Sequence, residues 1–381
     1  MALSLEEFVL ALLTFWLAIT LILSLVRLEN VDYKPFFVVV KGRPRLLRRL
    51  LKALSSRWGR AWIVALDVGV AMGVGMMAFS LYFLAANLVR RFLVPREFVA
   101  VMPPIPGLLF PLEVLPHFIA ALAVAVVIHE AAHALASKLL GVKVKGAGVA
   151  LAVIILAAFV ELDEEGIKRV RLRDKLRIFT AGPSSNMLLF LLVVAAFTVV
   201  FQPGGVLVQR VEPGTPADRA GLTRYSVIVA LNGTSITDSL SLHRFMLRTR
   251  PNQTIVIDFI EPTGARTRRI IRAASHPYNR SIGFIGILPA DYYELRLGWL
   301  PPSALIQVHL FLLWLEIVLF SLAVFNMLPI SIADGGRVFR AVVEEVFKGD
   351  EGKVKAFAFI ANSLCLGLIV ANVAVTILAM I

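Results

Sequence analysis

The sequence is poor in cysteine and in charged residues, and both shortages limit what the protein can be. Among 381 residues there is one cysteine, Cys365, so no disulfide can form within the chain and a zinc site built from thiolates is excluded. Only 17% of the residues are charged, whereas 58% are hydrophobic. A soluble globular domain carries about 25% charged residues, and a disordered chain is poor in apolar ones. The composition therefore indicates a membrane protein.

Apolar runs long enough to cross a bilayer account for the scarcity of charge. About 20 helical residues span the hydrocarbon core, so uninterrupted apolar runs of roughly this length predict transmembrane helices. The sequence contains six such runs, at residues 5–27, 61–89, 116–140, 178–201, 303–328 and 356–381. The first run has neither a basic start nor a small-residue cleavage site, so we expect a retained anchor rather than a cleaved signal peptide.

Basic residues are distributed unevenly between the segments that connect these runs. The segments 28–60, 141–177 and 337–355 together hold 22 basic residues, whereas the short segments on the opposite side hold three. The positive-inside rule makes the first set cytosolic and places both termini outside. The net charge of +13 does not indicate a nucleic-acid partner, because most short basic stretches border membrane spans. Residues 42–60 alternate basic and apolar residues, which predicts an amphipathic helix on the inner leaflet.

Between the fourth and fifth runs the hydropathy falls, and the pattern becomes that of a soluble α+β domain. Strand patterns with turns such as Asn232-Gly233 alternate with short helical patterns over about 90 residues. This order of elements resembles a PDZ domain in the permuted arrangement of bacterial and archaeal proteases. The resemblance places Ser281–Phe284 at the carboxylate-binding loop, although Ser281 stands where the family has glycine. We expect the domain either to bind a peptide or C-terminus by strand addition or to act as a steric cap.

The third apolar run carries ionisable residues where a lipid-facing helix has none. In the stretch VVIHEAAHALA, Val126–Ala136, two imidazoles and a carboxylate interrupt an otherwise apolar segment. Such groups cost several kcal/mol in a bilayer and persist where they pair, bind or react. His129 and His133 are four residues apart and share one helix face, and Glu130 beside them can reach a metal-bound water. This is the zinc-binding pattern of metalloproteases. The alternative is that the histidines hydrogen-bond to neighbouring helices.

A catalytic zinc ion needs a third protein ligand, which must come from another helix at the same depth. His133 lies five residues before Lys138 and therefore roughly 8 Å from the cytosolic boundary. The fifth run ends on that side in FNMLPISIADGG, where Asp334 is the one carboxylate and a proline interrupts the helix. Depth therefore nominates Asp334. Two alternatives remain open: Asp334 caps the following helix, or Glu316, nearer the outer face, is the ligand.

Three motifs together resemble the site-2 protease family of intramembrane zinc metalloproteases. They are HEAAH in the third run, GPSSN in the fourth and NMLPISIADGG at the end of the fifth, the last without two of the family's prolines but with its length kept. The resemblance implies that His129, His133 and Asp334 bind one zinc ion and that Glu130 is the catalytic acid and base. It also implies that Asn186 faces the zinc and holds the substrate backbone or the developing oxyanion, with interhelical packing as its alternative role.

The sequence as a whole predicts a polytopic α-helical membrane protein with six transmembrane helices and an inserted α+β PDZ-like domain. The expected domains are two N-terminal helices with the basic cytosolic loop (1–115), the first part of the catalytic core (116–201), the extracytosolic PDZ domain (202–290) and the second part of the core (291–381). Within the core, residues 146–165 match the family's membrane-entering hairpin, which in relatives pairs with the extended substrate.

The resemblance implies cleavage within transmembrane segments of single-span membrane proteins, at a site near the cytosolic face of a multi-pass protein in the cell membrane. The rival class is a non-proteolytic membrane scaffold or a metal-binding transporter that uses the PDZ domain to recruit partners. A transporter usually has paired internal repeats, and the sequence shows none. Asp67 in the second run is an isolated carboxylate, for which we expect a hydrogen bond to a neighbouring helix.

Overall fold

The computed structural model describes residues 5–26, 28, 30–42, 49, 59–102, 104–105, 110–153 and 155–380. The α-helices are α1 (Leu5–Leu25), α2 (Gly59–Leu93), α3 (Leu115–Leu139), α4 (Glu164–Arg169), α5 (Leu172–Val200), α6 (Pro216–Arg219), α7 (Ser239–Leu247), α8 (Pro302–Phe325), α9 (Asp334–Val346) and α10 (Glu351–Met380). The strands are β1 (Val31–Lys34), β2 (Phe37–Lys41), β3 (Val144–Ala152), β4 (Ile155–Leu162), β5 (Phe201–Val211), β6 (Val227–Leu231), β7 (Thr234–Ser235), β8 (Thr254–Ile260), β9 (Arg266–Arg272), β10 (Ala274–Ser275), β11 (Gly283–Phe284) and β12 (Ile287–Leu295).

Among the described residues, six helices are long and apolar enough to cross a membrane: α1, α2, α3, α5, α8 and α10. Each coincides with one of the six apolar runs of the sequence. The helices extend beyond the runs where polar first turns find partners. Helix α5 begins at Leu172 rather than at the predicted residue 178, because Arg173 and Arg177 in its first turns pair with carboxylates. The amphipathic helix predicted for 42–60 falls mostly on residues outside the described part.

The hairpin predicted at 146–165 is present as β3 and β4, and it belongs to a larger sheet. Its four strands are antiparallel in the order β1-β2-β3-β4, with Val39 of β2 opposite Ala150 of β3. The sequence reasoning did not predict β1 and β2, which lie in the basic loop after α1. Strand β3 lies between β2 and β4, and β4 pairs with no other described strand, so β4 is a terminal strand of this sheet.

Trp16, near the middle of α1, connects that helix to both turns of the sheet. Its indole Nε1–H donates to the carbonyl of Val153 at 2.8 Å, and its ring centroid is 6.0 Å from that of Phe36. Val153 and Phe36 are the turn residues of the two hairpins, and both have positive φ. Trp16 is only 2% exposed. An otherwise apolar helix therefore supplies a donor to a turn carbonyl that water would satisfy in a soluble protein.

The inserted domain between α5 and α8 is an antiparallel sheet with two short helices. The strand order is β12-β5-β6-β8-β9, with β7 paired to β6 through the predicted turn at Asn232-Gly233, where both residues have positive φ. Alternate residues of β8 are buried and form the core with residues of β6 and the helices. Helix α7 begins with a capping box, and the hydrogen bond from the Ser241 amide holds the pKa of Asp238 below its usual value.

The inserted domain ends later than the predicted residue 290. Strand β12 pairs with β5 along its whole length, and the last pair joins Leu295 to Phe201. Beyond this pair the Arg296 amide donates to the Val200 carbonyl at 2.9 Å, so the two ends of the insert lie side by side. The chain divides into two compact units, residues 1–191 with 314–381 and residues 192–313.

Candidate metal centre

Helix α3 presents His129 and His133 to the protein interior. Pro116 stands in its first turn, and no further proline or glycine follows before Gly141, so the helix runs without interruption. Each histidine is 5% exposed, and the two ring centroids are 4.8 Å apart in an edge-on arrangement. The four-residue spacing thus brings both imidazoles onto one buried face.

Asp334 reaches the histidines from a chain reversal between two helices. Helix α8 ends at Phe325, and Asp334, 8% exposed, is the first residue of α9. The reversal is closed by a hydrogen bond of 2.8 Å from the Gly335 amide to the Asn326 carbonyl. A Cβ atom on Gly335 or Gly336 would clash with backbone carbonyls of the reversal, so both positions require glycine.

Asp334 does not cap the helix that it begins. The N-cap residue of α9 is Ala333, and no side chain makes a capping hydrogen bond there. Asp334 Oδ2 lies instead 3.0 Å from His129 Nε2 and 3.2 Å from His133 Nε2. The capping alternative is therefore wrong. Glu316 lies within α8, and the one group of three potential metal ligands among the described residues consists of His129, His133 and Asp334.

The three facing atoms form a nearly regular triangle. The two Nε2 atoms of His129 and His133 are 3.2 Å apart, close to the distances that each makes with Asp334 Oδ2. Zinc bonds of about 2.0–2.1 Å in a tetrahedron put neighbouring donor atoms about 3.3 Å apart. The spacing therefore fits three corners of a tetrahedral metal site with the fourth corner open. Two imidazoles and one carboxylate are the donor set of catalytic zinc sites rather than closed structural ones.

Both imidazoles have partners that turn Nε2 toward the triangle. His133 Nδ1 donates to the carbonyl of Ile178 at 2.7 Å, which leaves the lone pair on Nε2. His129 Nδ1 is 3.3 Å from the side-chain amide of Asn186, whose Oδ1 has no hydrogen-bond partner in the described part of the chain. With the amide turned by 180°, Asn186 Oδ1 accepts the Nδ1 proton of His129. The lone pair of His129 is then on Nε2 and points into the triangle, like that of His133.

Helix α5 passes the cluster at Gly182. A Cβ atom at this position would collide with Nε2 of both His129 and His133. Pro183 follows inside the helix, and Asn186, one turn after Gly182, is fully buried. The GPSSN motif therefore contributes a close backbone approach and one amide to the cluster.

Glu130 points toward the four-stranded sheet. Its Oε2 accepts a hydrogen bond of 2.9 Å from the Val160 amide of β4. Since β3 pairs with the other side of β4, this amide lies on the outer edge of the sheet. The contact orients the carboxylate and leaves Oε1 outside this hydrogen bond.

Sequence reasoning missed three groups at the cluster. Asn326 places its amide nitrogen 3.4 Å from His129 Nε2. Because Asn326 belongs to the third motif, the sequence could have indicated that it lies at the site. The other two are the carbonyl of Ile178 and the amide of Val160. Both are backbone groups, so residue type gives no indication of their role.

Asp67 bonds to a neighbouring helix, as predicted, but through charged partners. Its carboxylate accepts hydrogen bonds from the guanidinium groups of Arg173 and Arg177 on α5. The carboxylate of α2 is thus one half of an ion-pair cluster and not an isolated charge in lipid.

The fold and the cluster define a class: a multi-pass membrane protein whose helices carry a buried site of two histidines and one aspartate suited to a metal ion. The sequence model of the family described as Peptidase family M50 matches residues 117–369, which is more than half of the chain. The chain belongs to peptidase family M50, and the resemblance to the site-2 proteases drawn from the three motifs is confirmed.

Individual relatives are similar over different shares of the chain. The uncharacterized protein MJ0971 of Methanocaldococcus jannaschii is 25% identical over 296 residues, 75% of this chain and 72% of that protein. The putative serine protease HhoA of Synechocystis sp. is 42% identical over 62 residues, 16% of each chain. Among solved structures, the PDZ domain of the SdrC-like protein from Listeria monocytogenes is 20% identical, with a TM-score of 0.21 over 23% of this chain and 87% of that one.

Proposed function

We propose that the protein is an intramembrane zinc metalloendopeptidase of the site-2 protease type, which hydrolyses peptide bonds within transmembrane segments of membrane-anchored substrates. The observation that carries the proposal is the triangle of donor atoms of His129, His133 and Asp334, buried among helices long enough to span a bilayer. Ionisable groups at such a position are expected to bind or react. A substrate then reaches the site within the membrane.

In this proposal His129, His133 and Asp334 hold one zinc ion and leave one coordination position open. Bound zinc supplies polarisation of the scissile carbonyl and activation of a water molecule. Glu130 accepts the proton of the attacking water and returns it to the leaving amine. The Val160 amide, by holding Oε2, leaves Oε1 of Glu130 for this proton transfer.

Asn186 has two polar atoms and can serve two purposes. With the amide turned by 180°, its Oδ1 takes the place of Nδ2 beside His129 Nδ1 and accepts the proton there, which fixes the tautomer that a metal ligand needs. Its Nδ2 then remains as a donor to the substrate carbonyl or to the developing oxyanion. Asn186 can therefore contact His129 through Oδ1 and still bind the substrate backbone or the oxyanion through Nδ2, the role that the resemblance implies.

Strand β4 offers the substrate an edge on which to unwind. A peptide bond inside a helix is shielded by its own hydrogen bonds, so a substrate segment must become extended before cleavage. The outer edge of β4 can pair with an extended segment by strand addition, and the Val160 amide on that edge touches Glu130. Substrate helices with glycine, asparagine or other weak helix formers near the cytosolic face fit this requirement.

The inserted domain is proposed to control which substrates reach the site. Helix α7 and residues 282–289 border a cavity of about 180 Å³, with Leu242, His243 and Met246 on the helical side. An extended peptide or a C-terminus in this groove would dock the substrate. Exclusion of bulky extracytosolic domains is the other role, and deletion of the domain separates the two.

The positive-inside rule supports an orientation with the active site near the cytosolic face and the inserted domain outside. Cys365 is the one native cysteine, so its replacement by serine gives a background in which single introduced cysteines report sidedness by labelling with an impermeant maleimide.

The deciding experiment uses purified protein in liposomes with a fluorescent single-span substrate. Cleavage within the membrane segment, lost on chelation and restored by zinc, is the expected result. A protein that binds stoichiometric zinc but leaves a panel of single-span substrates intact would favour the scaffold or transporter class instead. Comparison of membrane proteomes with and without active enzyme would then identify the natural substrate by its accumulation.

A further inference from the structure

Helix α2 lies outside the residues that match the family, yet it packs against the helix that passes the metal cluster. A Cβ atom on Gly69 would lie 2.8 Å from Ser184 Oγ, and one on Gly73 would lie 2.6 Å from Thr180 Cγ2. Small residues four positions apart allow two membrane helices to approach closely. The contact between α2 and α5 is therefore tight along this turn.

The face of α5 that touches α2 is opposite the face that touches the cluster. Thr180 and Ser184 are each two residues from Gly182, which corresponds to about 200° around a helix. Gly182 is the residue whose Cβ atom would collide with both imidazoles. Around Gly182, helix α5 thus contacts α2 on one face and the histidines on the opposite face, and a displacement of α5 changes its contacts with the cluster.

Asp67 on α2 binds two arginines at the start of α5. Its two carboxylate oxygens accept hydrogen bonds of 2.8 and 2.7 Å from Nε and Nη2 of Arg177, and of 3.2 and 2.9 Å from Nε and Nη2 of Arg173. Arg177 also donates to Asp174, and its side chain is 9% exposed. Two bidentate pairs on one carboxylate fix orientation as well as distance, because each guanidinium fork has a rigid geometry.

One residue connects this grip to the cluster. Ile178 follows Arg177 and is fully buried, and its carbonyl accepts the Nδ1 proton of His133 at 2.7 Å. The direction of that carbonyl depends on the rotation and height of α5 at residue 177. A partner that holds the ring of a metal-binding histidine affects metal affinity about 10–100-fold when it is lost.

We propose that Asp67 is a positioning residue of the metal site. Its ion pairs with Arg173 and Arg177 fix the position of the start of α5. In this position the Ile178 carbonyl accepts the Nδ1 proton of His133 and leaves the Nε2 lone pair facing the ligand triangle. The inference rests on the proposed metallopeptidase function, because it concerns the same metal site. It gives α2 a part in the chemistry without contact with the substrate, and it explains a carboxylate in an apolar run.

The test compares full-length wild-type protein with Asp67→Asn in detergent by two measurements. Titration with cobalt(II) reports affinity and tetrahedral coordination through visible absorption. ¹⁵N NMR of the metal-free, histidine-labelled protein reports whether His133 carries its proton on Nδ1 or Nε2. We expect cobalt binding on the order of tenfold weaker in Asp67→Asn, with the second tautomer appearing at His133. Asp67→Glu should restore part of the affinity.

The matched control is Glu165→Gln, which removes an exposed ion pair with Lys168 on α4 and should leave both readouts unchanged. A folded Asp67→Asn protein with wild-type cobalt affinity and tautomer would overturn the inference, even if its thermal midpoint fell. Should Asp67→Asn not fold, Arg173→Gln removes two of the four hydrogen bonds at a side chain that is 70% exposed. Arg173→Gln should then show a smaller change in cobalt affinity and in the His133 tautomer, in the same direction as expected for Asp67→Asn. If neither quantity changes in Arg173→Gln, the inference is overturned. Wild-type protein that binds no cobalt would instead contradict the proposed function itself.

Discussion

The Val160 amide and the Glu130 carboxylate are joined by a hydrogen bond of 2.9 Å between β4 and α3. The donor lies on the outer edge of the four-stranded sheet, and the acceptor follows His129 by one residue. The proposed general base and the proposed substrate edge are thus in direct contact. The orientation of the base depends on the position of the sheet.

Glu130→Gln should separate proton transfer from metal binding. The glutamine keeps an oxygen that can accept from Val160 but loses the basicity of the carboxylate, so we expect cleavage to fall by about 10²–10⁴-fold. Metal analysis should find stoichiometric zinc in this variant, whereas His129→Asn should lose both zinc and cleavage. Wild-type cleavage by Glu130→Gln would show that another group is the base.

Asp334→Ala should lose stoichiometric zinc, since it removes one corner of the ligand triangle. Glu316→Gln is the matched control, because Glu316 is the rival carboxylate and lies within α8, outside the triangle. We expect Glu316→Gln to keep its zinc by metal analysis of the purified protein. The reverse pattern would transfer the ligand role to Glu316.

Replacement of Asn186 tests which atom of its amide faces His129. Asn186→Leu removes the acceptor for the Nδ1 proton, so we expect zinc affinity about 10–100-fold weaker in a competition titration with a chelator. Asn186→Asp keeps an oxygen in the same place and should bind zinc more tightly than Asn186→Leu. Equal losses in the two variants would mean that Asn186 does not hold His129 through its oxygen.

Gly182→Ala should abolish metal binding by geometry alone. The added methyl group collides with the Nε2 atoms of both histidines, while alanine favours the helix by about 1 kcal/mol over glycine. Loss of zinc from a folded protein therefore cannot come from a weakened helix. Gly75→Ala in α2 is the control, because a Cβ atom there meets no heavy atom within 4 Å. Unchanged zinc content in Gly182→Ala would show that α5 does not approach the two histidines as closely as the structure indicates.

Deletion of residues 201–295 tests the inserted domain. The Val200 carbonyl and the Arg296 amide are 2.9 Å apart, so a short turn can join the two ends. If the domain excludes bulky substrates, the deleted protein should cleave single-span proteins that carry large extracytosolic domains, which gel analysis of products detects. If the domain docks substrates, cleavage should decrease for all of them. An unchanged substrate range would show that the domain has neither role.

Each member of the candidate site lies in a motif with its own sequence signal, although Asp334 is 205 residues from His129. The spacing of His129 and His133 fixes a helix face, and the depth of Asp334 relative to His133 follows from counting residues. The proline before Asp334 indicated that the helix is interrupted there. The inserted domain was predictable in outline because turn residues and alternating patterns mark its strands, although its last strand runs to Leu295.

The remaining features depend on pairings between distant segments. Strand β2 pairs with β3 far along the chain, and a short apolar stretch in a basic loop does not specify such a partner. Asp67 could be expected to bond, but its partners Arg173 and Arg177 are 106 and 110 residues away. Which helices meet, and at what height, is decided by packing of small residues such as Gly69 and Gly73.

The hydrogen bond from Trp16 to the Val153 carbonyl joins residues 137 positions apart, and this separation bears on biosynthesis. At about 5–20 residues per second, α1 leaves the ribosome on the order of ten seconds before the turn that it contacts. The Trp16 donor is therefore synthesised before the turn whose carbonyl it binds. The N-terminal helix can act as a template on which the later hairpin settles during translation.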